Sequence, residues 1–459
     1  MDKVFSVDPT TKTNINEYYL DPEQEVELKI KKTSVAFQKW KKLDHQTRAN
    51  FLKNVEAKIV DSRTAIALTI TNEIGMPISQ SYGEVDKGIS LIREIIKNGP
   101  TQLKSRQVPD AKSRVEYAPM GICLSVAPWN FPFYLALRSI LPNIIAGNAV
   151  LLKHSVTCQG VAKLIENCFK VDGIPQGLVT NLVIRGLVAE SLLSRKEIKL
   201  ATLIGSERAG RSFASSAGKN MKKVILELGG NDSLVVFADA DLKAAAKGAA
   251  ESRLRNCGQA CNAAKRYLVH SSVRDSFVEL LKVEFDKFKP GNPLDKDTQL
   301  GPIATEEAAN TFVAQCAILD RHAKLIYEVP FAGWNPIDQA LYSNGSWVMP
   351  KIYELTDRNY TEDEIFGPAA VLETFDATIE ASEKVNWSRY GLGCSIWTSS
   401  ETTFNEMVAL VDTGNVFHNS IVRSHVGLPY GGVKDSGFGR ELGEEGLREV
   451  CNVKVVYTG

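Results

Sequence analysis

The stretch GICLSVAPWNFPFYLALRSILPNIIAGNAVLLKH, residues 121–154, decides the fold. Its two ends, GICLSVAP and NAVLLKH, are short apolar runs bounded by Gly, Pro and Asn, which read as strands. Between them FYLALRSILPNIIAG is too long for a strand and reads as a buried helix. Downstream, VAKLIENCFK reads as a helix, GIPQG as a loop and LVTNLVIRG as the next strand. ATLIGS follows as strand and turn, then ERAGRSFASSAGK as helix. This alternation predicts an α/β chain. A parallel sheet with helices on both faces is expected, in the doubly wound architecture that binds nucleotides.

Upstream, residues 21–99 read as helical, because apolar residues recur at helical spacing in PEQEVELKIKKTSVAFQKWKK, RANFLKNVEAKIV and the run ending REIIKN. Asp21 before Pro22 marks a helix start. Around Val224–Phe237 the order is strand, Gly-Gly turn, strand, followed by a helix from Asp241. The region to about residue 425 reads as a second α/β unit. CNVKVVYT reads as a terminal strand that forms an edge ribbon with SRVEYAPMG and pairs between subunits.

The 459 residues correspond to about three structural units. Lys plus Arg and Asp plus Glu both number 54, and 44% of residues are hydrophobic. Zero net charge argues against a nucleic-acid partner, and the hydrophobic content argues against disorder. Ala118–Leu152 carries only one charge, Arg138, across a length that would span a bilayer. Pro119, Pro128, Pro132 and Pro142 interrupt any helix there, and Asn130, Asn143 and Asn148 lie inside the run. The segment is therefore core, with no membrane partner. The opening residues lack a secretory or transit pattern, so a cytoplasmic, reducing location with free thiols is expected. The eight cysteines form no CxxC pair and the six histidines complete no zinc cluster, so no metal is expected.

Five places carry chemistry, each open to two readings. Cys261, in NCGQAC, is a nucleophile on a loop opening the next helix, where the dipole lowers the thiol pKa, or a buried structural thiol. Glu227 ends an apolar strand before two glycines, as a general base raised by burial or a solvent-facing carboxylate. Asn130, in APWNFP, donates to an oxyanion or forms a turn. Gly205 and Ser206 stand where a strand turns into a helix, an anion site that lacks the dinucleotide glycine fingerprint. Lys153 closes NAVLLK, in reach of a ribose or phosphate or simply at the surface.

The order and spacing of eight motifs resemble the aldehyde dehydrogenase superfamily: PWNFP (128–132), GNAVLLK (147–153), GSERAG (205–210), ELGGN (227–231), GQAC (258–261), EIFGP (364–368), PYGGVKDSGFGRE (429–441) and the closing NVKVV. The resemblance runs essentially end to end. It implies an aldehyde dehydrogenase-like fold: a Rossmann-like NAD(P)-binding domain at 1–100 and 120–228, an α/β catalytic domain at 229–427, and an oligomerisation β-ribbon at 101–119 and 447–459. A homodimer or homotetramer is implied. So is NAD or NADP as cofactor, lined by Trp129, Lys153, Ser155, Gly205, Ser206, Glu364 and Phe366. By the same resemblance Cys261 adds to the aldehyde carbon, and Asn130 with the Cys261 N–H holds the oxyanion. Hydride passes to the nicotinamide, and Glu227 activates water to hydrolyse the thioester.

Arg138 and Arg255 match the two arginines that hold the distal carboxylate in succinate-semialdehyde dehydrogenases, with Ser424 nearby as a third contact. A buried guanidinium needs an anion, so Arg138 implies an acidic substrate or an internal salt bridge. The implied reaction is oxidation of succinate semialdehyde to succinate. The alternative is a broader aldehyde dehydrogenase for aliphatic, aromatic or amino aldehydes. Two departures stand out. Val156 replaces a glutamate that favours NAD in many members, which opens the site to NADP. Ser139 replaces a lysine common beside the Arg138 position, so a proton relay through it is absent. Cys257, four residues before Cys261, is either a redox partner or a packing residue.

Overall fold

The computed structural model describes residues 2–109, 112–330, 345–357 and 363–458. The decisive stretch folds into the strand Ile122–Ala127, the helix Pro132–Ala146 and the strand Ala149–His154. These strands sit side by side and parallel at the centre of a six-stranded sheet. Its order is Gly437–Phe438, Lys223–Glu227, Ile198–Ile204, Ile122–Ala127, Ala149–His154 and Val179–Asn181. Only the short Gly437–Phe438 strand runs antiparallel to its neighbour. Helices shield both faces, so the central strands read as apolar runs instead of alternating.

Pro142 does not interrupt the helix Pro132–Ala146, contrary to the sequence expectation. Pro132 occupies its first turn, where a missing N–H is harmless. Pro142 lies inside, at a cost of about 3 kcal/mol. Every residue of the helix is buried, and each large apolar side chain contributes about 1.5–3 kcal/mol. The helix ends at Gly147, whose φ of 98° suits glycine. Asn148 is buried for a reason: its Oδ1 accepts the Met120 and Gly121 N–H groups, and its Nδ2 donates to Asn143 Oδ1 and Val450 O.

The helical N-terminal region is the four helices Glu23–Trp40, His45–Asp61, Arg63–Ile74 and Ile78–Gln102. Asp21 does not cap the first of them. Its carboxylate pairs with Lys29 at 2.6 Å and accepts the Val183 N–H, which ties the helix to the sheet edge. Among the described residues no helix is long and apolar enough to cross a membrane.

The VILEL and SLVV strands are not a hairpin. Lys223–Glu227 belongs to the six-stranded sheet, whereas Ser233–Val236 lies in a seven-stranded one. The Gly229–Gly230 turn therefore carries the chain between units. The second sheet has the order Ala323–Glu328, Lys351–Leu355, Ala369–Phe375, Arg266–His270, Ser233–Val236, Gly393–Trp397 and Asn415–His418. It is parallel except at Ala323–Glu328. Leu234 and Val236 pack into the core on one face and Val235 into the core on the other, as a period of two requires. The terminal strand Cys451–Tyr457 pairs antiparallel with Ser113–Pro119 along its whole length, and Arg106–Gln107 adds a third strand.

Candidate active site

Two cavities meet at one thiol. A cavity of about 240 Å³ is lined by Lys87, Tyr134, Arg138, Arg255, Ser424 and Cys261, among others. A second, of about 510 Å³, is lined by Trp129, Asn130, Gly205, Ser206, Glu364, Phe366 and, again, Cys261.

Cys261 sits on the loop between the 3₁₀ turn Arg255–Gly258 and the strand Arg266–His270. No helix follows it, which corrects the expectation of a helix dipole at the thiol. Burial dominates instead and pushes the thiol up to about 12. The loop is entered through three successive left-handed residues: Asn256 (φ 50°), Cys257 (φ 54°) and Gly258 (φ 73°). Left-handed backbone costs roughly 1–2 kcal/mol at each non-glycine position, so the surroundings must over-determine it. They do. Asn256 N–H donates to Gln80 Oε1 at 2.9 Å, and its Nδ2 to Asn130 O at 2.7 Å. The buried Arg253 guanidinium donates to the carbonyls of Gly258 and Gly367. A Cβ at residue 258 would lie 2.4 Å from Gly367 O, so glycine is required there.

Lys265 clamps the other side of the loop. Its ammonium is fully buried, donates to the carbonyls of Ala260 (2.9 Å) and Cys261, and lies 2.8 Å from Glu364 Oε1. Lys265 escaped the sequence reading because its contact with Glu364 is set by tertiary packing. Cys257 lies in the core of the seven-stranded unit at 1% exposure, whereas Cys261 packs against the other core. Its surroundings are those of a packing residue.

Asn130 is buried, and its Nδ2 donates to Gln259 O at 2.9 Å. One amide hydrogen holds the loop, and the second is available to another acceptor. Glu227 ends its strand at 4% exposure, not in solvent. Burial raises its carboxyl well above the usual range, and Glu441 pushes it further. Arg138 lies 3.8 Å from Glu227 and is ion-paired with Glu441. Of the two anions open to the buried Arg138, the protein supplies the internal one, and the guanidinium still lines the smaller cavity.

Arg255 differs. It stacks 5.1 Å from the Phe131 ring and has no ion pair among the described residues. Ser424 lines the same cavity, and its Oγ accepts from Lys87 Nζ at 2.7 Å. Lys87 was not legible as a site residue, since a lysine on a helix face usually points to water.

In the larger cavity, Trp129 and Phe366 meet edge to face at 5.7 Å. Ser206 caps the helix Glu207–Lys219, accepting the Ala209 N–H, so a helix N-terminus opens there beside Gly205. Lys153 and Ser155 do not line this cavity. Ser155 caps the following 3₁₀ turn. Lys153, half-buried at its strand end, has no ion pair among the described residues, and burial lowers its pKa. A helix N-terminus and an aromatic pair lining one cavity fit a dinucleotide.

The sequence profile of the aldehyde dehydrogenase family matches residues 2–456. The chain is 36% identical to a succinate-semialdehyde dehydrogenase [NADP(+)] of Deinococcus radiodurans, over 98% of this chain and 94% of the relative. It is 32% identical to a succinate semialdehyde dehydrogenase [NAD(P)+] of Escherichia coli K12, over 98% and 97%. A crystal structure of succinic semialdehyde dehydrogenase from Streptococcus pyogenes with NADP+ superposes with a TM-score of 0.93 at 32% identity, over 99% of both chains. With its fold, its motif order and these relatives in agreement, the chain belongs to the aldehyde dehydrogenase family.

Proposed function

We propose that this protein oxidises succinate semialdehyde to succinate, with NADP+ or NAD+ as cofactor. The observation that carries the reading is Cys261 at the junction of two cavities, one of which holds the unneutralised cation Arg255. The relatives named for this activity support it.

Cys261 Sγ loses its proton to solvent and adds to the aldehyde carbon as the thiolate. The second amide hydrogen of Asn130 and the Cys261 N–H stabilise the alkoxide. NAD(P)+, when bound, supplies a two-electron hydride acceptor. Cys261 then carries the acyl group as a thioester. Glu227, whose carboxyl pKa burial raises, takes a proton from water as the water attacks the thioester, which releases the acid and returns Cys261. Trp129, Gly205, Ser206, Glu364 and Phe366 line the cofactor cavity, with Lys153 and Ser155 beside it. Val156 presents no carboxylate to repel a 2′-phosphate, which favours acceptance of NADP.

In this reading the six-stranded unit binds cofactor and the seven-stranded unit carries the nucleophile. The exposed Val453, Val455 and Tyr457 on the ribbon support a homodimer or homotetramer. Eight free cysteines suit the reducing cytoplasm.

Steady-state kinetics on succinate semialdehyde and hexanal, each with NAD+ and NADP+, test the reading. A large kcat/KM preference for the acidic aldehyde is expected. Equal turnover of both would overturn it.

A further inference from the structure

We propose that Lys87 is a specificity-determining residue of this site: with Arg255 and Ser424 it holds the distal carboxylate of the aldehyde, while Arg138 serves the internal carboxylates. The inference rests on the function proposed above and redistributes its binding groups.

Lys87 lies on the helix Ile78–Gln102, and Gln80, Gly83, Glu84 and Lys87 line the 240 Å³ cavity from that helix. Their spacing of three, four and seven puts them on one face. The Lys87 ammonium stands 2.7 Å from Ser424 Oγ and 4.5 Å from the Tyr134 ring centroid. It has no ion pair among the described residues. One of its three donors is used on Ser424, leaving two for a ligand.

The charge balance among the described lining residues favours an anion. Lys87 and Arg255 both line it without a carboxylate partner, and Arg138 is already paired with Glu441. Glu84 is the only acid among the described lining residues. Its Oε1 is occupied by the Phe133 and Tyr134 N–H groups, each at 2.8 Å. Burial and the facing charges of Arg255, Arg138 and Arg423 hold the Lys87 amine down to about 7, with Glu84 opposing. A carboxylate between Lys87 and Arg255 would relieve that repulsion. A neutral aldehyde would not, so the pair discriminates by charge.

The test compares succinate semialdehyde with butanal, which has the same number of carbons and no carboxylate. Lys87→Gln and Lys87→Met are measured beside wild type, with the KM for NADP+ as a check that the fold is intact. The ratio of kcat/KM for the acidic over the neutral aldehyde should fall about 10- to 100-fold in both variants, the loss of one charged hydrogen bond. The fall should appear in KM more than in kcat. Lys87→Arg should restore part of the ratio. A wild-type preference that persists unchanged in Lys87→Gln overturns the role of Lys87 alone. No preference in wild type overturns the substrate reading itself. If Lys87→Met fails to fold, Lys87→Gln decides.

Discussion

Arg138 and Glu441 form an ion pair in the interior, with Glu227 on the same guanidinium at 3.8 Å. The proposed base therefore shares its counter-ion with a second carboxylate. Glu441 raises the Glu227 pKa and Arg138 lowers it. In Glu441→Gln the repulsion disappears and Glu227 has the guanidinium to itself. Its pKa should fall, and the rising limb of the pH–rate profile should move to lower pH. Hydrolysis of an aryl ester, which needs no hydride transfer, measures this. An unmoved limb would show that the two carboxylates do not communicate.

Removing the cation is expected to be more damaging. Arg138→Met leaves two buried carboxylates without a partner, a change that costs about 3–5 kcal/mol. Urea unfolding should show an unfolding free energy lower by that amount, with a correspondingly lower midpoint.

The Cys261 thiol, pushed up to about 12 by burial, is neutral at pH 7 in the free enzyme. Since only the thiolate attacks, alkylation by iodoacetamide should be slow at pH 7 and accelerate about tenfold per pH unit above it. Saturating NADP+ should change that rate if cofactor binding reorganises the loop. Cys261→Ser should lose dehydrogenase activity.

Lys265 joins the nucleophile loop to Glu364. Lys265→Met strands the half-buried Glu364 carboxylate and frees the Ala260 and Cys261 carbonyls. A rise in KM for NADP+ together with a lower kcat is expected. Steady-state titration with cofactor checks it, and an unchanged KM would confine Lys265 to holding the loop.

Glu84 gives a pH dependence of stability. Burial raises its carboxyl to about 8, above the ordinary value of 4.5. A group raised in the folded state stabilises fully below its unfolded pKa, and that contribution is lost as pH climbs toward the folded one. Between about pH 5 and 8 the wild-type unfolding free energy should fall by ~1.4 kcal/mol per pH unit on account of this one proton. Glu84→Gln, which keeps an acceptor for Phe133 and Tyr134, should flatten that slope.

Much of the architecture was legible because parallel strands buried on both faces leave unbroken apolar runs, and their crossover helices leave a period of 3.6. The ribbon pairing of SRVEYAP with CNVKVVY could be read for a similar reason. The motif order pointed to Cys261, Glu227 and Asn130 as candidates, and the fold brings Cys261 and Asn130 to one cavity and buries Glu227. Local patterns misled where long-range packing overruled them. Pro142 stays in its helix because complete burial outweighs a lost hydrogen bond. Asp21 gave up a cap for Lys29. The loop of Cys261 opens no helix, since it must drop directly into the central strand of the second sheet.

What the sequence by itself determined is the fold class, the two α/β units and the residue types proposed to carry the chemistry, all encoded in periodicity and motif spacing. What only the tertiary structure decided is which charges compensate which. Arg138 meets Glu441 and Lys265 meets Glu364, whereas Lys87 and Arg255 line one cavity without a carboxylate partner among the described residues. Electrostatic partnership depends on distance and burial in three dimensions, and the residues of each pair are brought together only by the packing of separate elements.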